Sequence, residues 1–319
     1  MSNKIVLSII IPVYNVEMYL RQCLETILRH NSEIQYILVN DGSTDDSLVI
    51  AEEFRKKYKN LSIINQENKG LSAARNSGIK NAVGDWLYFV DSDDYVDNKF
   101  IENIFNFVKE NDMYDLISLP VIKVSNYKQK IIQNSNLTLN RDEYTKLLVL
   151  GKRQFGVWSC IFRKGIILKY NILFEEGKLF EDQYFVPVYL KYVDIVYHLN
   201  NRSVGFYYYR FRDSSITHSK ISREKIVQKL KAEFFRDDYL SCLTNNTNIK
   251  RLINTNKLTL LYRAYINFIK IDNISEAKEI KKKYFQILIN EQLAFRWKET
   301  VKTILMFCPI SILKKNLGD

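Results

Sequence analysis

The sequence predicts an α/β protein in which a mostly parallel central sheet carries helices on both faces and is followed by a helical C-terminal region. Three observations carry this expectation. Up to about residue 120, short runs rich in Val, Ile, Leu and Tyr alternate with helical patterns. Runs that apolar belong to strands buried on both faces, which is the habit of parallel sheets. Beyond about residue 220 strand patterns give way to amphipathic helical ones, and an aromatic-rich mixed segment that includes "GFYYYRF" (205–211) lies between.

The elements follow in order. "IVLSIIIPV" (5–13) is the first strand and "IQYILVN" (34–40) the second, separated by a helix near 17–29. A helix near 45–58 leads to "LSIINQ" (61–66), and another near 71–82 leads to "DWLYFVD" (85–91). A helix near 98–110, with Asp97 as its N-cap, precedes "YDLISLPVI" (114–122). Strands alternating with helices at this spacing give an α/β layer architecture.

The chain of 319 residues is 46% hydrophobic, enough to bury a sizeable core as two or three units. The expected divisions are 1–120, 121–219 and 220–319. Residues 220–319 hold 20 Lys or Arg and 10 Asp or Glu, so nearly all of the net charge of +11 belongs to the last third. Such a charge favours an anionic partner. Nucleic acid is the least supported, because no recognisable nucleic-acid motif accompanies it. The sharper expectation is an anionic membrane surface, met by "WKETVKTILMFCPISILKKNLGD" (297–319), against a solvated helical face as the alternative. No stretch is long and apolar enough to span a bilayer.

Cysteines at 23, 160, 242 and 308 form no C-x-x-C pair, and histidines at 30, 198 and 218 are scattered, which argues against a zinc site. Only Lys4 precedes a short apolar run closed by Pro12, with no small-residue cleavage site, so no signal peptide is expected. Reduced thiols then place the protein in the cytoplasm, with a peripheral position at the inner face of the cell membrane if the basic end binds lipid.

Ligands of open parallel α/β sheets collect at the carboxyl ends of the strands. There the sequence puts Tyr14 in "PVYN" (12–15), Asn40 and Asp41 in "VNDGSTDDS" (39–47), Arg75 in "ENKGLSAARNSG" (67–78), and Asp91, Asp93, Asp94 and Asp97 in "LYFVDSDDYVD" (87–97). Taken singly, each has a plainer role: a packed tyrosine, a turn with a helix cap, a solvated arginine, capping acids. An EF-hand is excluded. With Asp91 at position 1, Tyr95 and Val96 stand where an oxygen ligand and a Gly are needed. Two or three carboxylates at a strand end instead suit Mg²⁺ or Mn²⁺ that completes its shell with substrate phosphate oxygens.

The ordered set "SIIIPVYNVEMYLRQCLETI", "ILVNDGSTDDS", "NKGLSAARNSGI" and "GDWLYFVDSDDYV" resembles family 2 glycosyltransferases with the GT-A fold, of the bacterial surface-polysaccharide type. The resemblance is strong over residues 5–110 and weaker to about 218. It implies that Pro12, Tyr14, Asn40, Asp41 and Arg75 hold the uridine and pyrophosphate of a UDP-sugar. Asp91 would then approach the ribose or the cation, Ser92 would bind the donor, Asp93 would be the main protein ligand of Mn²⁺ or Mg²⁺, and Asp94 would lie near the donor sugar. One departure is "VNDGS" where many relatives read "VDDGS". The resemblance further implies that the acidic pair in "KLFEDQYFVP" (178–187) includes the catalytic base, Asp182 with Glu181 as the substitute. Trp158 in "GVWSCIFRKGII" (156–167) would pack either on an acceptor sugar or in the core. "RFRDSSITHS" (210–219) would close over the diphosphate through Arg212, Ser215 and Thr217, with His218 as a further candidate metal ligand.

These roles imply an inverting transfer of a hexosyl or N-acetylhexosaminyl unit to a hydroxyl of a glycan or lipid-linked glycan. A nucleotidyltransferase would want a Gly-rich phosphate loop near the N-terminus, and a non-catalytic nucleotide-sugar-binding partner would need neither Glu181 nor Asp182. A Rossmann dehydrogenase is excluded by the absence of G-x-G-x-x-G.

Overall fold

The computed structural model describes residues 4–124, 136–211, 221–290, 297–307 and 313. Its first half is a run of strand–helix units: β1 (Leu7–Val13), α1 (Glu17–Ile27), β2 (Ile34–Asp41), α2 (Ser47–Lys57), β3 (Leu61–Gln66), α3 (Leu71–Asn81) and β4 (Trp86–Phe89). The short β5 (Tyr95–Val96), α4 (Phe100–Glu110), β6 (Leu116–Ser118) and β7 (Val121–Val124) follow. Next come β8 (Leu137–Asn140), α5 (Arg141–Val149), β9 (Cys160–Arg163), α6 (Lys164–Lys169), α7 (Asp182–Leu190), β10 (Ile195–His198), α8 (Asn201–Val204) and β11 (Tyr207–Arg210). Four helices end the chain: α9 (Arg223–Leu243), α10 (Thr247–Lys270), α11 (Ile274–Asn290) and α12 (Trp297–Phe307).

Eight strands form one sheet in the order β3-β2-β1-β4-β9-β6-β10-β8. β1 to β4 run parallel, β9 is antiparallel to both its neighbours, and β10 is parallel to β6. The expected α/β class and GT-A architecture therefore hold. Segments 1–120 and 121–219 share this single sheet, because β6, β8, β9 and β10 extend it beyond β4. A smaller sheet, β5-β11-β7, stands over the carboxyl end of β4.

Burial explains the pattern. Every residue of β1 is buried, yet Leu7, Ile9, Ile11 and Val13 pack in one core and Ile10 in the other. Successive side chains of a strand point to opposite faces, so a doubly covered strand must be apolar throughout. One core holds buried residues of α1, α2 and α4; the other holds those of α3, α5, α6 and α7. Helix α3 lies close on β1, since a Cβ at Gly78 would stand 2.3 Å from Ile10 Cγ2. That approach brings Arg75, one turn earlier on α3, beside the sheet's carboxyl edge.

The C-terminal helices have a core of their own, built around Leu258, Leu261, Tyr265, Phe268 and Tyr284. They are also joined to the sheet layer: Leu240, Ile249 and Ile253 pack in the core on the α7 side, and Thr244 Oγ1 donates to Asp142 Oδ2 at 2.8 Å. In α12, Met306 is buried in the helical core while Ile304 and Phe307 are exposed. Among the described residues, no helix is long and apolar enough to cross a membrane.

Candidate active site

The strand order reverses between β1 and β4, and the acids after β4 line the crevice that results. Arg75 on α3 lies at the centre. It is 1% exposed, and its Nη2 donates to Asp91 Oδ1 at 2.8 Å. Its Nη1 donates to Glu181 Oε1 and reaches Asp182 Oδ1 at 3.3 Å. The guanidinium also lies over the Phe174 ring, 5.2 Å from its centroid. Burial opposes the charge, but Asp182, Asp91 and Glu181 together raise the Arg75 pKa above its ordinary value.

Glu181 and Asp182 open α7 directly after Phe180, whose φ of +61° is left-handed. A bulky residue held there costs on the order of 1–3 kcal/mol, and such strain gathers at functional sites. The Asp182 side chain keeps 17% exposure. Burial, then the Glu181 charge, raises its pKa well above the carboxylate range, with Arg75 pulling the other way.

The acids after β4 divide by partner. Asp94 is 1% exposed; its Oδ2 accepts from the Tyr207 hydroxyl at 2.6 Å and its Oδ1 from the Arg210 backbone N–H at 2.7 Å. Burial, then Asp93 and Asp91, raise its pKa well above the usual carboxylate range. The same Tyr207 hydroxyl accepts from the Asp91 backbone N–H at 3.2 Å. Asp94 thus ties β11 to the turn after β4, where the sequence reading placed it at the donor sugar. Asp97 is a correction. The N-cap of α4 is Lys99, and Asp97 instead accepts from the Phe206 N–H at 2.7 Å and the Tyr208 hydroxyl at 2.9 Å. Two bonds across to the β11 segment compete with one local cap, and the cross-strand pair wins.

On the other side of the crevice, Tyr14 is 47% exposed at the end of β1, while Pro12 is buried within the strand. The loop behind Tyr14 is held by reciprocal capping. Asp45 accepts from the Glu17 and Ser47 N–H groups, each at 3.0 Å, and Glu17 accepts from the Asp46 N–H at 2.8 Å. The first N–H of α1 is thereby met from the loop before α2, and the N–H of Asp46 from the first residue of α1. Asn40 is fixed by bonds to Asn65 and Ser43 at 3.0 and 3.1 Å. Asp41 accepts from Gln66 Nε2, Lys69 N and Gly70 N at 2.7, 2.9 and 2.8 Å, which sets the entry into α3.

A divalent cation fits this donor set in part. Among the described residues, no group of three or more His, Cys, Asp or Glu side chains is arranged to hold an ion. The local field is nonetheless strongly negative: beyond burial, Asp94, Asp93 and Asp91 all raise the pKa of the buried Cys23 thiol. Carboxylate oxygens in such a field suit Mg²⁺ or Mn²⁺ when substrate oxygens complete the shell. Arg212, Ser215, Thr217 and His218 lie outside the described residues.

The structure therefore gathers Arg75, Asp91, Glu181 and Asp182. Trp158 is 7% exposed and stacks on Tyr207 and Tyr209, with centroids 5.5 and 5.1 Å away, so it belongs to the core and does not offer a sugar-facing ring. Arg75 also differs from expectation: a guanidinium this buried takes the nearest anions, and these are carboxylates of the chain. Sequence reading passed over Tyr207, although the aromatic run "YYYR" has the composition of a strand. It also passed over Arg236 of α9, whose Nη1 donates to Gln183 Oε1 at 2.7 Å, one residue from Asp182.

Comparison with known proteins bears on the family and the fold. An EpsJ glycosyltransferase of Bacillus subtilis, itself described as uncharacterized, is 34% identical over 218 residues, covering 66% of this chain and 62% of that protein. The glycosyltransferase GlyA of Streptococcus pneumoniae is 32% identical over 239 residues, covering 70% of this chain and 33% of its own length. The matched region thus spans less than two thirds of either relative. The structure of S. aureus TarS residues 1–349 in complex with UDP-GlcNAc superposes with a TM-score of 0.61 at 18% identity, covering 92% of this chain and 93% of that one, which establishes a shared fold. The model of glycosyl transferase family 2 matches residues 8–168, from β1 to α6, and the chain belongs to that family.

Proposed function

We propose that the protein is an inverting, metal-dependent glycosyltransferase that moves a hexosyl or N-acetylhexosaminyl unit from a UDP-sugar to a hydroxyl of a glycan or lipid-linked glycan in bacterial surface-polysaccharide synthesis. The observation that carries the reading is the Arg75 network, which joins the acids after β4 to a carboxylate of raised pKa at the start of α7. TarS bound to UDP-GlcNAc supports a UDP-sugar donor, and relatives include the minor teichoic acid biosynthesis protein GgaB. Family membership favours this reading over a nucleotidyltransferase, and Glu181 with Asp182 favour it over a non-catalytic binding partner.

In this mechanism Tyr14, Asn40 and Asp41 hold the uridine, with Pro12 shaping the strand end beneath. Asp91 and Asp93 would hold Mn²⁺ or Mg²⁺, with Ser92 at the donor. Bound there, the cation would offset charge on the departing UDP, a contribution of several kcal/mol. Asp182 takes the proton of the acceptor hydroxyl as that oxygen attacks the anomeric carbon, and attack from the face opposite UDP inverts the centre. A raised pKa strengthens Asp182 as a base, and positioned bases contribute roughly 10²–10⁴ in rate. Arg75 keeps Asp182 and Asp91 in fixed relation.

The deciding experiment is a panel of UDP-sugars with Mn²⁺ or Mg²⁺, followed for release of UDP. Slow, metal-dependent release from at least one donor is expected. No release from any member, with or without metal, would refute the transferase reading.

A further inference from the structure

We propose that a second site, the recess lined by Arg153, His198, Lys152 and Gln154, binds a phosphoryl group of the sugar acceptor. The recess is bounded by Leu119 and Val121 as well. His198 ends β10 and Ser118 ends β6, and the two are partners in register. β6 and β10 run parallel to β4 in the order β4-β9-β6-β10, so the recess opens on the same carboxyl edge as Asp91. Two to three strand spacings place it roughly 10–15 Å along that edge.

Its chemistry is that of a cation with no counter-charge among the described residues. Arg153 is 5% exposed and its Nη1 donates to the Lys152 carbonyl at 2.8 Å. Its Nε and Nη2 have no partner among the described residues, and the groups that influence its charge are Tyr144 and Cys160, not carboxylates. His198 is 1% exposed; its Nδ1 lies 3.2 Å from Ser118 Oγ, and its Nε2 likewise has no partner among the described residues. Burial, then the neighbouring Arg153 charge, pushes the imidazole down to about 3. Burying an unpaired guanidinium and two unmet donors is costly. A water would satisfy the hydrogen bonds and leave the charge. The recess has about 10 Å³ for a water-sized particle, room for one oxygen. A phosphoryl group places one oxygen inside, beside Arg153 and His198, and leaves its other oxygens at the mouth near the exposed Lys152.

That this phosphoryl belongs to an acceptor rests on the transferase reading; the anion site does not. Such a group can sit in a phosphodiester or in the diphosphate of a lipid carrier, and the test separates them. Imidazole NMR of the full chain in EDTA, with the His198 signal assigned through His198→Asn, is followed during titration with inorganic phosphate, glycerophosphoglycerol, a short prenyl diphosphate, and acetate. A saturable His198 shift with phosphate is expected, and the tighter of the two esters names the source. Loss of a charge-assisted bond predicts affinity weaker by about tenfold or more in Arg153→Gln, with Arg153→Lys in between. Cooperative thermal unfolding confirms that each variant is folded. An unchanged shift in Arg153→Gln, no shift in wild type, or an equal response to acetate would overturn the proposal. Intact phosphate binding without metal-dependent UDP release would overturn the assignment to a sugar acceptor.

Discussion

Arg75 Nη2 meets Asp91 Oδ1 at 2.8 Å, and through the other arm of the same guanidinium Asp91 is coupled to Asp182, 91 positions later in the chain. One side chain thus spaces Asp91, the proposed metal-side acid, from Asp182, the proposed base.

Removing that side chain leaves three carboxylates facing one another. Breaking a buried pair from one side costs about 3–5 kcal/mol, so Arg75→Met should lower the unfolding free energy from urea titration by an amount in that range, with a correspondingly lower midpoint. Arg75→Lys should recover part of the stability and little activity, because an ammonium lacks the fork that serves two directions. Equal turnover in Arg75→Lys and wild type would count against the spacing role.

Asp182→Asn keeps the shape and removes the base, so UDP release should fall by roughly 10²–10⁴. UDP affinity in Mn²⁺ should hold. Asp93→Ala should lose both turnover and UDP affinity in Mn²⁺, and calorimetry separates the two variants.

Because burial and Glu181 raise the Asp182 pKa, its carboxyl is protonated at pH values where an ordinary aspartate is already ionised. A base must be ionised to accept a proton, so kcat/KM should rise with pH through that raised value. The acidic limb should therefore lie above pH 4, about where a free aspartate titrates. A limb at the ordinary position would argue against Asp182.

Gly205 has φ +85°, and a Cβ there would stand 2.8 Å from Asp97 Oδ2. Gly205→Ala should therefore loosen β11 over the crevice and cost about 1–3 kcal/mol. Hydrogen exchange should rise at Phe206 and Arg210, whose N–H groups bond Asp97 and Asp94.

Arg236 braces Gln183 from α9 and is paired with the buried Asp237 at 2.7 Å. Arg236→Gln should lower kcat with little change in UDP affinity, since the nucleotide side of the crevice is untouched. A matching loss of UDP affinity would show a general structural effect.

Much of this was legible in the residues. β1 and β2 are apolar on both faces, so their burial follows from composition alone. The acids after β4 stand at a strand end, where a sheet of this class collects ligands. Asp94 and Asp97 were harder to read, because their partners Tyr207, Arg210, Phe206 and Tyr208 lie more than a hundred residues away. Nothing local distinguishes a carboxylate that will cap a helix from one that will bind a distant strand. Trp158 gave an ambiguous signal for the same reason: its aromatic neighbours arrive from β11.

What the chain's own pattern settles is the class of fold, the family, and the segments that supply the clustered acids. Periodicity and motif order are local properties, and local properties survive in one dimension. The roles within those segments depend on burial and on long-range partners. Arg75 looks like a helix-surface residue until Gly78 lets α3 close on β1, and there its charge must find Asp91, Glu181 and Asp182. Arg153 and His198 carry no motif at all, and their shared recess exists because β6 and β10 end side by side. Electrostatics inside a protein depends on distance and desolvation, and both are created when the chain folds.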